Sequence, residues 1–126
     1  MPTTLNNTIL LLVSPAILRV VIQETLLHEG YAVYPAGDLG TAVDKLKESK
    51  PDLLIVSPYV EDMSGYDAAN FLRTKLNGLP VLMLGGIIAD DRIQNPLTLK
   101  GFDFFPQPFT PADLVAKVKE ALQKLR

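Results

Sequence analysis

Three stretches constrain the fold of this chain more than any other feature: TILLLV (8–13), DLLIVS (52–57) and PVLMLG (80–85). Each is an apolar run of strand length without polar alternation. A strand with one face in water alternates apolar and polar residues, so a continuous run marks a strand covered on both faces, as in a parallel sheet.

The segments between these runs carry helical signals. Ser14-Pro15 offers a hydroxyl cap and then a ring already at helical φ. The spacing predicts a helix from Ala16 that stops at Gly30, with Ile17, Val20, Val21, Ile22 and Leu26 as a broad buried stripe. YAVYP (31–35) reads as a short second strand. Asp38 then caps a helix through residue 49 with Leu39, Ala42, Val43 and Leu46 on one face, and Pro51 lies beyond its end.

After the loop PYVEDM, Ser64 caps a helix running to Leu76. Residues 86–101 are the least regular, because Asn95-Pro96 interrupts the apolar positions of any helix there. FDFF (102–105) is a fifth strand. Thr110, Pro111 and Asp113 open a last helix with Leu114, Val115, Val118, Ala121, Leu122 and Leu125 as its stripe.

Strands alternating with helices predict an α/β fold: a flavodoxin-like, doubly wound five-stranded parallel sheet of order 2-1-3-4-5, with helices on both faces. The two shorter strands fit the edges. With 126 residues and no interdomain linker, residues 1–126 are expected to form a single domain. A net charge of −2 gives no field to attract nucleic acid or an anionic membrane. Cysteines are absent, which removes disulfides, thiolate metal sites and cysteine nucleophiles. No apolar run reaches membrane-spanning length, and no signal-peptide pattern precedes the first strand. The expectation is a cytoplasmic protein.

In this order of elements, the stretches PDLLIVSPYVEDMSGYD (51–67), LPVLML (79–84) and QPFTPADLVAKV (107–118) resemble the receiver domain of two-component response regulators, including the single-domain chemotaxis regulator. The resemblance covers almost the whole chain and implies a phosphoryl switch. It also maps the family's acidic, Mg²⁺-holding pair onto Val13 and Ser14, the phosphoacceptor aspartate onto Ser57, the following Ser/Thr onto Gly85, and the lysine onto Gln107. All five residues are neutral. A valine offers a hard cation nothing, and a hydroxyl without an adjacent base is a poor nucleophile. The resemblance therefore implies a receiver-like, phosphorylation-independent domain: not an enzyme, with no catalytic residue, metal or cofactor. It further implies a scaffold glycine at Gly65, a cis Gln107-Pro108 bond and an aromatic switch position at Phe104, read here as a packed or surface aromatic.

Other residues read as structural. His28 falls in the last turn of the first helix, where positive charge suits the dipole. Glu61, Asp62, Asp90 and Asp91 are solvated loop carboxylates. Gly85-Gly86 lacks the spaced glycines and lysine of a phosphate loop. Lys117, Lys119, Lys124 and Arg126 form a solvated face of the last helix.

The expected role is docking to a protein partner: a signalling kinase, an output domain or a second copy. The expected face comprises 86–101, the strand with Phe104 and Phe105, and the last helix with Lys117. The alternative is small-ligand sensing in a pocket formed by Ser14, Ser57, Gly85, Gly86 and Gln107. Ser57 as a substitute phosphoacceptor is a third reading.

Overall fold

The computed structural model describes residues 7–85, 101–106 and 108–124. Strands β1 (Thr8–Leu12), β2 (Ala32–Ala36), β3 (Leu53–Val56), β6 (Val81–Leu84) and β7 (Phe102–Phe105) form one sheet of order β2-β1-β3-β6-β7, parallel throughout. Counting only these five, the order is 2-1-3-4-5, and the two strands expected at the edges lie there, although β2 and β7, at five and four residues, are no shorter than the central strands. Helices α1 (Ala16–His28), α2 (Leu39–Ser49), α3 (Gly65–Lys75) and α4 (Pro111–Lys124) surround it.

The apolar runs are explained by where alternate residues go. Leu10, Leu12, Leu54, Val56, Val81 and Met83 point into a core shared with α2 and α3. Ile9, Leu11, Val13, Leu53, Ile55, Leu82 and Leu84 point into a second core shared with α1 and α4. Each run feeds both cores, so the positions inside the strands are apolar and polar residues fall only at the ends, as at Thr8, Asp52 and Ser57. At about 1.5–3 kcal/mol for each fully buried Leu, Ile or Val side chain, these central strands provide the main drive for folding.

The helix ends follow from local chemistry. Asp38 accepts the Thr41 N–H at 2.7 Å, and Ser64 accepts the Asp67 N–H at 3.0 Å. At the start of α4, the Thr110 hydroxyl accepts the Asp113 N–H at 3.1 Å, while the Asp113 carboxylate accepts the Thr110 N–H at 3.0 Å. That reciprocal pair satisfies two backbone donors left without helical partners. Helix α1 stops where the Tyr31 N–H reaches the Leu26 carbonyl and Gly30 takes φ 94°, a left-handed conformation that costs glycine little.

Three expectations need correction. Ser14 does not cap α1: Pro15 holds the N-cap position, without a side-chain cap, and Ser14 turns toward the β3 end. The stripe of α1 is narrower than its apolar content suggests. Ile22 and Leu26 are buried, but Ile17 is 71% exposed and Val20 and Val21 are each 49% exposed. The sheet covers only one side of α1, while its apolar residues extend further round the helix. The loop after Ser57 contains a small antiparallel hairpin, β4 (Tyr59–Val60) with β5 (Met63–Ser64). A cis bond joins Ser14 to Pro15; the one expected at Gln107-Pro108 lies outside the described residues, as does Leu125 of the α4 stripe.

Candidate functional site

In a doubly wound sheet, the carboxyl ends of the central strands open onto a crevice between the covering layers. Val13 and Ser14 follow β1, Ser57 follows β3 and Gly85 follows β6, so the fold brings these four sequence-predicted residues to one end. Gln107 and Gly86 lie outside the described residues.

Ser57 is 2% exposed, the one buried polar residue among the described residues. Its hydroxyl donates to the Tyr59 carbonyl at 3.0 Å and accepts the Ser14 N–H at 3.2 Å. The Ser57 N–H in turn donates to the Leu12 carbonyl at 3.1 Å. The Ser14 hydroxyl approaches the same Tyr59 carbonyl at 3.4 Å, at the long limit for such a bond. Ser57 therefore clips the β1–α1 turn to the β4 strand, and both directions of its hydroxyl are in use. Its partners are backbone groups, and none can serve as a general base.

The neighbouring residues close in around this clip. Pro58 packs over Gly85, which has φ 96°; a Cβ placed there would lie 2.9 Å from the proline Cγ. Gly65 donates its N–H to the Pro58 carbonyl at 2.7 Å, and a Cβ at 65 would overlap the Ser57 carbonyl oxygen. The scaffold glycine is thus required by close approach of the backbone. On the β1 side, the Arg19 guanidinium donates to the Val13 carbonyl at 2.8 Å.

A hard divalent cation takes carboxylate, carbonyl and water oxygens. Val13, Ser14, Ser57 and Gly85 supply no carboxylate, the Val13 carbonyl is engaged by a cation, and the Ser57 hydroxyl is engaged by backbone. These residues do not fit a Mg²⁺ ion. Among the described residues, no group of three or more His, Asp or Glu side chains is close enough to hold a metal.

The other expected positions fall on the β7 edge. Phe104 packs against the α2–α3 core and Phe105 against the α1–α4 core, where it stacks on Phe109 with ring centroids 4.5 Å apart. Lys117 bonds Asp103 of β7 at 2.7 Å and Glu120 at 3.2 Å. Burial alone would lower its pKa, but hydrogen bonds to both carboxylates outweigh that and hold the ammonium above the ordinary lysine value. Lys117 therefore ties β7 to α4. Glu24, Thr25 and His28 of α1, with Glu29 just past its end, face Pro111, Ala112, Val115, Ala116 and Lys119 of α4 across a groove of about 790 Å³. No residue spacing predicted this groove, because the sequence does not state how far apart two helices lie.

Comparison with known proteins agrees with this geometry. The response regulator receiver domain matches residues 14–119. The chain is 31% identical, over 93% of its length, to "Probable transcriptional regulatory protein TcrX" of Mycobacterium tuberculosis, and covers 50% of that protein. It is 28% identical to the "DNA-binding response regulator MtrA" of the same species, over 96% of this chain and 53% of that one. The chain thus spans about half the length of the curated relatives it matches. The chemotaxis protein CheY4 of Vibrio cholerae superposes with a TM-score of 0.81 at 21% identity, covering 93% of this chain and 99% of that one. A CheY-like receiver protein of Methanospirillum hungatei gives 0.80 at 24%, covering 95% and 96%. Among the described residues, no helix is long and apolar enough to cross a membrane.

Proposed function

The chain belongs to the response regulator receiver domain family, and from that premise we propose that it is a pseudo-receiver: a two-component signalling domain that works by protein–protein interaction without taking a phosphoryl group. The observation that carries this reading is the Ser57 hydroxyl, buried and held by the Tyr59 carbonyl and the Ser14 N–H. In the family's scheme that position is the phosphoacceptor. Here a nucleophile would first have to break two hydrogen bonds, and the described residues at the strand ends, Val13, Ser14, Ser57 and Gly85, include no base and no carboxylate. Pro58 over Gly85 supports the same reading, since it fills the space of the side chain that would follow a bound phosphoryl group.

On this reading the domain is not an enzyme and has no cofactor or resident metal. Its role is cytoplasmic, and its partners are proteins: a signalling kinase, an output domain or a second copy. DNA binding is a property of the relative MtrA and is not assigned to this domain. The ligand-sensing alternative has less support, because the Ser14 and Ser57 hydroxyls at the strand ends are already turned to the Tyr59 carbonyl.

Incubation with Mg²⁺ and a small acyl phosphate, followed by intact mass measurement, tests the proposal. The expected result is unmodified protein. A phosphoryl adduct that disappears in Ser57→Ala overturns it.

A further inference from the structure

Helix α3 runs out into a turn made by Asn77 and Gly78. Asparagines stand at 6, 7, 70, 77 and 95, and Asn77 is the one followed by glycine. The following residue matters because its backbone nitrogen can attack the asparagine side-chain amide, and a Cβ on that residue crowds the approach. Asn95 precedes Pro96, whose nitrogen has no proton to lose. Asn70 lies inside α3 before Phe71, where helical hydrogen bonds hold the backbone.

The fold leaves this pair open to the reaction. Asn77 and Gly78 are both exposed. Gly78 takes φ 78°, and a Cβ placed there would meet nothing within 4 Å. Among the described residues, neither the Asn77 side chain nor the Gly78 N–H has a hydrogen-bond partner. The bond that spans the turn, from the Leu79 N–H to the Leu76 carbonyl, is long at 3.3 Å, so the turn is held weakly. Water reaches it through a hollow of about 260 Å³ between the ends of α2 and α3. The chain beyond the turn is fixed in place. Leu79 is 2% exposed, the Pro80 carbonyl accepts the Leu54 N–H at 2.9 Å, and the Val81 N–H donates to the Gly101 carbonyl at 2.7 Å.

We infer that Asn77-Gly78 is a site of spontaneous covalent modification that loosens the entry into β6. The Gly78 nitrogen gives its proton to solvent base and bonds to the Asn77 Cγ. The bond from Cγ to the side-chain nitrogen breaks, and that nitrogen leaves as ammonia with a proton taken from water. One water then opens the cyclic imide. Opening at Cγ gives aspartate, and opening at the backbone carbonyl gives isoaspartate, in which the chain runs through the side chain and is one methylene longer. Either product puts a carboxylate at the C-terminal end of α3, where the helix dipole disfavours negative charge. The longer isoaspartyl link also displaces Leu79 or the start of β6, both of which are packed. The inference uses nothing at Ser57, so it stands or falls separately from the proposed loss of phosphorylation.

Incubation of the native 126-residue chain in mildly alkaline buffer, followed by tryptic digestion and mass spectrometry, reads the change. Residues 76–92 form one tryptic fragment, in which Asn77 is the single side-chain amide. That fragment should gain one mass unit, with isoaspartate in excess of aspartate, at least roughly tenfold faster than Asn70 reacts in the same sample. The rate should rise with pH, because the attacking nitrogen must lose its proton. Aged protein, separated by its added negative charge, should melt below fresh protein. Asn77→Ser should show neither the mass gain nor the fall in melting temperature. A native chain that stays unchanged at 77 overturns the inference, and conversion of the same chain in urea would then show that the fold protects the site. Conversion that leaves the melting temperature where it was overturns it as well.

Discussion

Ser57 and Gly85 show how one residue type depends on another across strands. Position 85 has a backbone conformation that only glycine adopts cheaply, and the Pro58 ring occupies the space beside it. Gly85→Ser is expected to cost roughly 1–3 kcal/mol through strain and crowding. In a Pro58→Ala background the crowding part disappears, so urea denaturation of the four-member cycle should show a favourable coupling of about 0.5 kcal/mol or more. Additive behaviour would mean that the two residues are not packed as described. The neutrality of Val13, Ser14, Ser57 and Gly85 was legible in the sequence. The two bonds of the Ser57 hydroxyl were not, because both partners are backbone groups, which every residue has.

At the scale of elements, strand identity and order were readable because the apolar runs are too short for an ordinary helix and are bounded by Pro and Gly, as fits buried parallel strands. Helix starts were readable at Asp38, Ser64 and Thr110, where a capping side chain precedes the apolar periodicity. Helix α1 was harder. Its apolar residues occupy more of the circumference than the sheet covers, and periodicity alone cannot say which of them lose contact with water. The difference is measurable. Leu26→Ala, in the α1–α4 core, should cost about 2–5 kcal/mol. Val20→Thr, on the exposed side of α1, should fall within roughly 0.5 kcal/mol of wild type. A comparable loss at both positions would place Val20 in the core.

For the molecule as a whole, two cores on opposite faces of one sheet hold the strand ends together whatever side chains stand there. A fold of this kind can lose its chemistry and keep its surfaces, since function resides in the site and not in the scaffold. The central claim is that the crevice at the strand ends is closed by the Ser57 clip and does not bind Mg²⁺ with a phosphoryl group. The most direct test is a titration with Mg²⁺ and beryllofluoride, a phosphoryl mimic, followed through the backbone amide resonances of Ser14, Ser57 and Gly85. Those resonances are predicted to stay in place at millimolar Mg²⁺. A saturable shift of all three, requiring both Mg²⁺ and beryllofluoride, would contradict the account.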